Sequence, residues 1–153
     1  MLATQWKNPL LSKALQSPDV CFKPNAVVLA YGSNDLSTIF DATDEDLVIP
    51  TSGKISADRT PELDIVNFVT KDTPPIFFYH CRYDEYVPVK NTWLLAAKLE
   101  EYGLPFEMHI SQSGHHGMSV NNKLTLSKEP IDESVTQWVP LCISWLNHMF
   151  AEK

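Results

Sequence analysis

The sequence predicts an α/β protein, a parallel sheet of about three strands flanked by helices. Two short continuous runs, residues 26–31 (AVVLAY) and 76–79 (IFFY), are rich in β-branched and aromatic side chains, the pattern of strands covered on both faces. Two other segments, residues 91–102 and the stretch from Pro140 onward, carry apolar side chains at helical spacing. Strand and helix therefore alternate, which implies parallel pairing through right-handed crossovers.

Leu2, Trp6, Leu10, Leu11 and Leu15 lie at roughly helical spacing, and Pro9 divides them into a helix end and a second short turn. An apolar half-helix with no cap ahead of it reads as the tail of an earlier element, so Met1 is expected to be an internal methionine of a longer frame. Lys23, Pro24 and Asn25 form a turn, the first strand follows, and Gly32 ends it. Residues 33–73 read as an irregular excursion of loops and short helices within a single domain spanning 1–153. Pro50, Gly53 and Pro61 break its periodicity, and a short helix is expected over 62–69 with Leu63, Val66 and Val69 on one face. The acidic group Asp41, Asp44, Glu45 and Asp46 lacks ligands alternating around a glycine, as a calcium loop requires, and reads as a solvated face.

The densest stretch is 74–89, PPIFFYHCRYDEYVPV. Its strand turns polar at once into Arg82, Tyr83, Asp84 and Glu85, and the carboxyl edge of an open α/β sheet is where catalytic groups collect. Pro88 stands just ahead of a helix carrying Leu95, Leu99 and Tyr102, which Gly103 stops. Residues 106–110 (FEMHI) alternate, which places this third strand nearer an edge. A small-residue loop follows with His115 and His116, then a polar surface connection over 121–132. The last helix is expected from near Pro140, with Cys142, Trp145, Leu146 and Met149 as its stripe. Three strands are few for a sheet so apolar, and at least one strand edge is left unpaired in the chain alone.

Composition bounds the function. The chain has 153 residues, 44% of them hydrophobic and 10% aromatic, enough for one folded core. A formal net charge of -7, without a Lys/Arg cluster, counts against nucleic acid or an anionic membrane as partner. Cys21, Cys81 and Cys142 are widely spaced and odd in number, which fits reduced thiols in a cytoplasmic protein. Lys7, Asn8 and Pro9 interrupt any signal-peptide core, and no apolar run approaches the ~20 residues that span a bilayer. No cofactor is expected, and no metal: the adjacent His115 and His116 point poorly at one ion, even with Asp84 nearby.

A carboxylate at the end of one strand and a histidine at the end of the next suggest an acid that orients a base. A neutral imidazole takes a proton near pH 7, and a carboxylate on its other nitrogen fixes the tautomer and stabilises the cation. In acyl transfer such a pair needs a nucleophile, normally Ser or Cys.

Residues 80–88, HCRYDEYVP, resemble the H-G-x-x-D-x-x-V-P segment of α/β-hydrolases, and Gly114-His115-His116-Gly117-Met118 resembles their G-x-H-G loop. The likeness is to the esterase and lipase-like branch related to acetyl-xylan and short-chain carbohydrate esterases. It covers essentially the whole chain, but only the C-terminal half of the family. The resemblance implies Asp84 as the catalytic acid and His116 as the base, with Glu85 the second candidate acid and His115 the fallback base. Cys81 stands where the family has glycine. The family's nucleophile lies in a G-x-S-x-G elbow between a strand and a helix. The 153 residues contain no such motif: Ser33 follows Gly32 and Ser52 precedes Gly53, each without the second glycine. The expected fold is thus a partial α/β-hydrolase lacking the N-terminal half that carries the elbow and the oxyanion donors, and residues 1–6 resemble the end of the helix that follows it.

The function so implied is a carboxylesterase hydrolysing small acyl esters by a Ser-His-Asp triad, with the acid and base in this chain and the serine elsewhere. The isolated chain is then expected to be inactive, and its partners to be a small-molecule ester and either a second copy of itself or the missing half. The competing expectation is a non-catalytic truncated remnant or interaction module that pairs through an exposed strand edge.

Overall fold

The computed structural model describes residues 2–16, 21–39, 46–49, 53–56, 61–122 and 131–151. Strands β1 (Val27–Ala30), β4 (Ile76–Cys81) and β5 (Phe106–Ser111) form a parallel sheet in the order β1-β4-β5, with Val27 opposite Ile76 and Ile76 opposite Phe106. All six residues of β4 are buried, as a central strand covered on both faces must be. Alternation along β4 sends Ile76 and Phe78 to one face and Phe77, Tyr79 and Cys81 to the other. The first face packs against α1 (Leu2–Gln5) and α3 (Lys90–Glu101) through Ala3, Leu95, Ala96 and Leu99. The second packs against Val135 of α4 (Glu133–Thr136) and Cys142 and Trp145 of α5 (Trp138–Phe150). Each of the apolar side chains of β4 is nearly inaccessible to water, and burial on that scale contributes about 1.5–3 kcal/mol apiece.

The three strands, the two long helices and the split at Pro9 stand as the sequence predicts, with one exception. β1, expected to be covered on both faces, is only partly buried and leaves Val28 exposed, because it is an end strand of the described sheet. Pro9 opens α2 (Pro9–Ala14), and the Asn8 side chain caps it by accepting the Leu10 N–H at 3.0 Å. α3 ends on Gly103 at φ 63°, whose N–H reaches the Glu100 carbonyl. Tyr102, expected on the apolar stripe, is instead 40% exposed, so the stripe ends at Leu99.

Four details differ from expectation. The excursion contains an antiparallel hairpin, β2 (Asp46–Ile49) and β3 (Gly53–Ser56), with Asp46 opposite Ser56. The helix expected over 62–69 is a 3-10 turn at Ile65–Phe68, because the Asp64 carboxylate that would cap it turns away to accept the Leu36 N–H at 2.7 Å. The last helix starts two residues before Pro140, which sits in the first turn where its missing N–H costs nothing, and Trp138 stacks on Tyr79 at 5.3 Å. The 121–132 connection is not a surface segment at its start: Asn121 is fully buried and donates from Nδ2 to the Asp132 carbonyl. Residues 123–130, the acidic positions 41, 44 and 45, Met1 and Ser52 lie outside the described residues.

Candidate active site

The site forms where β4 and β5 end. β4 pairs with β5 as far as Cys81 and Ser111, so the loops after both strands leave the same edge of the sheet. After Cys81 the chain turns tightly, the Asp84 N–H reaching back to the Cys81 carbonyl, and Asp84 then anchors the next turn. Its Oδ1 accepts the N–H groups of Tyr86 at 3.0 Å and Val87 at 2.8 Å, an Asx turn of the kind a short carboxylate favours. Arg82 lies over the rings of Tyr83 and Trp93, holding the turn against the start of α3.

The other oxygen of Asp84, Oδ2, faces the β5 loop. His116 Nδ1 lies 2.8 Å from it, with the Asp84 side chain fully buried and that of His116 32% exposed. Because a carboxylate only accepts, Nδ1 carries the proton and Nε2 is left as the accepting atom. Tyr31, at the end of β1, sets its ring edge-on to the imidazole at 5.2 Å, and Tyr86 does so at 5.6 Å. Tyr31 has φ 44°, a strained conformation for a side chain that large and one that clusters at functional sites. Glu85 meets this loop through the backbone, its Oε2 accepting the His116 N–H at 3.4 Å. His115 points Nδ1 at the His116 carbonyl at 2.6 Å. The structure thus brings Asp84 and His116 together by their side chains and leaves Glu85 and His115 as loop contacts. Ser33 lies in the loop after β1.

Residues with no role assigned from the sequence complete the arrangement. His80, on the same face of β4 as Ile76 and Phe78, is fully buried between the acid turn and α3. Its Nδ1 lies 2.7 Å from Thr92 Oγ1; its Nε2 lies 2.8 Å from the Val87 carbonyl and 3.2 Å from Asp84 Oδ2. Asn91 accepts the N–H groups of Asn34 and Asp35 on Oδ1 and donates to Thr38 Oγ1, tying the loop after β1 to the start of α3. The one signal was a polar residue, His80, inside an otherwise apolar strand; Asn91 reads as an ordinary polar residue of a helix start.

Burial pushes the His80 imidazole below its ordinary value, against weaker opposing pulls from the Val87 carbonyl and Asp84. The unfolded chain protonates this ring near pH 6.5, whereas the folded chain keeps it neutral to lower pH. The unfolded state therefore binds more protons in that window, and stability is lost as pH falls below about 6.5, by at most about 1.4 kcal/mol per pH unit. Thermal unfolding followed from pH 7 to pH 5 is expected to show a falling Tm, with a shallower slope in His80→Gln, which has no proton to take up. An unchanged slope in that variant would assign the acid sensitivity to other groups.

Comparison with known proteins bears on the family and the fold. Residues 20–133 match the prolyl oligopeptidase family. A curated relative, endo-1,4-beta-xylanase B of Butyrivibrio fibrisolvens, is 31% identical over 105 residues, covering 68% of this chain and 16% of the relative. Among solved structures, an acetyl ester-xyloside bifunctional hydrolase from Caldicellulosiruptor lactoaceticus superposes with a TM-score of 0.68 at 29% identity, over 87% of this chain and 45% of that one. A sugar hydrolase from Lactococcus lactis gives 0.69 at 28% identity, over 88% and 53%. A carboxylesterase from Lactobacillus plantarum shares the fold, with a TM-score of 0.74 at 21% identity, over 99% and 55%. The chain spans about half the length of these structures, which fits the carboxyl-terminal half of an α/β-hydrolase.

Proposed function

The chain belongs to the prolyl oligopeptidase family, and from that premise we propose that it is the acid- and base-bearing part of an α/β-hydrolase carboxylesterase acting on small acyl esters. The observation that carries the reading is the 2.8 Å contact between His116 Nδ1 and the buried Oδ2 of Asp84. In the reaction His116 Nε2 takes the proton of a serine as that serine attacks the ester carbonyl, then returns it to the departing alcohol. Asp84 holds the imidazole in the Nδ1–H tautomer and stabilises the cation. The serine and the oxyanion donors are assigned to a segment outside these 153 residues, since no G-x-S-x-G occurs among them. The names of two solved relatives, an acetyl ester-xyloside hydrolase and a sugar hydrolase, favour an acylated saccharide as the ester. Three free cysteines, and the lack of any helix among the described residues long and apolar enough to cross a membrane, accord with work in the cytoplasm.

The test compares residues 1–153 with the same residues joined to the coding sequence directly upstream of Met1, assayed on 4-nitrophenyl acetate. The expected result is turnover by the joined protein only, reduced at least about 10³-fold by His116→Ala. Equal turnover by the 153 residues alone would remove the need for an outside nucleophile. Turnover indifferent to His116→Ala would remove His116 as the base.

A second reading is favoured by one observation: β1 is an end strand of the described sheet, and its Val28 is 42% exposed. An edge of this kind pairs readily with another strand, so the chain alone would act as an interaction module that dimerises through β1. Sizing chromatography showing a dimer, with no esterase activity in the joined protein, supports it. A monomer counts against it.

A further inference from the structure

We infer that His80 is a positioning residue for the acid, its ring locked between Thr92 and the acid turn so that Nε2–H holds Asp84 Oδ2 in line with His116. The inference rests on the reading of Asp84 and His116 as the acid–base pair and adds a member to it.

The tautomer follows from the partners. Nε2 faces the Val87 carbonyl and Asp84 Oδ2, and both only accept, so Nε2 must carry a proton. In the neutral ring Nδ1 is then bare, and the Thr92 hydroxyl donates to it across 2.7 Å. With both nitrogens engaged the ring cannot turn over without breaking both sides at once. Thr92 is only 1% exposed, so bulk solvent does not reach this bond.

The consequence falls on Asp84. Oδ1 takes two backbone N–H groups and Oδ2 takes the N–H of His116, while His80 Nε2, bonded to the Val87 carbonyl, stands 3.2 Å from Oδ2 on its other side. Val87 is held twice: its N–H goes to Asp84 and its carbonyl receives His80. His80 thus restrains the acid directly and through the residue that restrains the acid. A histidine serving only to fill the core would need Thr92 and Val87 but not the second contact, to Oδ2.

The test is nitrogen-15 NMR of the imidazoles in residues 1–153 near pH 7. In the native sequence His80 is expected to carry its proton on Nε2, in slow exchange with water, and His116 on Nδ1. In His80→Phe the His116 Nδ1–H signal is expected to exchange with water faster by about tenfold or more, or to vanish. In His80→Gln, whose amide nitrogen falls near the ring Nε2, it is expected to return. Thr92→Val keeps the shape and removes the hydroxyl, and is expected to speed the same exchange. A native His80 protonated on Nδ1 overturns the inference without any variant. So does a His116 signal that His80→Phe and Thr92→Val leave unchanged, and should the Phe variant not fold, Thr92→Val decides alone. Failure of the underlying acid–base reading looks different: the native protein would show no Nδ1–H on His116 at all.

Discussion

Asp84→Asn is expected to leave the fold intact and to lower kcat by about 10⁴-fold in the protein joined to its nucleophile. The loss comes from a tautomer the substitution cannot avoid. Oδ1 accepts from two backbone N–H groups, Tyr86 and Val87, so the asparagine must place its carbonyl oxygen there. Its NH₂ then occupies the position of Oδ2, 2.8 Å from His116 Nδ1 and 3.2 Å from His80 Nε2. A donor facing Nδ1 turns His116 into its Nε2–H form, and that form cannot take a proton from the serine. Flipping the amide offers no escape, because it sets NH₂ against two N–H groups. Steady-state kinetics on 4-nitrophenyl acetate read the loss, and imidazole NMR on the 153 residues reads the tautomer without any activity. A kcat within tenfold of the native value would mean that Asp84 is not the acid.

Only some of these contacts are legible in the sequence. Asp84 and His116 were legible because each follows a strand of unmistakable composition and each lies in a short run of fixed spacing, D-x-x-V-P and G-x-H-G. The pairing of β4 with β5 then carries the two loops to one edge of the sheet. His80, Asn91 and Thr92 were not legible as site residues, because what defines them is contact across elements. Asn91 and Thr92 look like ordinary polar residues of a helix start, yet both are buried, one gripping the loop after β1 and the other His80. The hairpin of β2 and β3 escaped for another reason. Four-residue strands give too few alternations to establish a period, and Gly53, which reads as a breaker, opens β3. The polarity of Asn121 points to exposure, whereas its amide donates to the Asp132 carbonyl and the residue is buried.

Gly114→Ala is expected to cost about 3 kcal/mol of stability and to degrade the site as well. Gly114 has φ 94°, a conformation that L side chains rarely adopt, and it lies two residues ahead of His116. A Cβ there would also fall 2.7 Å from Cys81 Sγ and 3.2 Å from a methyl of Val135. Neither neighbour can give way easily: Cys81 and Val135 are fully buried, and Cys81 Sγ lies 3.5 Å from the Tyr79 hydroxyl. The cysteine standing where α/β-hydrolases have glycine therefore fills the space beneath the histidine loop, and Gly114 must stay small to receive it. The two contributions separate in a double-mutant cycle followed by chemical denaturation. Cys81→Ala removes the sulfur, so adding it to Gly114→Ala should recover the part due to overlap, about 1 kcal/mol, and leave the part due to φ. Simple additivity of the two costs would mean that the overlap relaxes elsewhere and that the backbone conformation alone demands glycine. In the joined protein Gly114→Ala should also lower kcat more than Cys81→Ala does, because only the first displaces the backbone that sets His116 against Asp84.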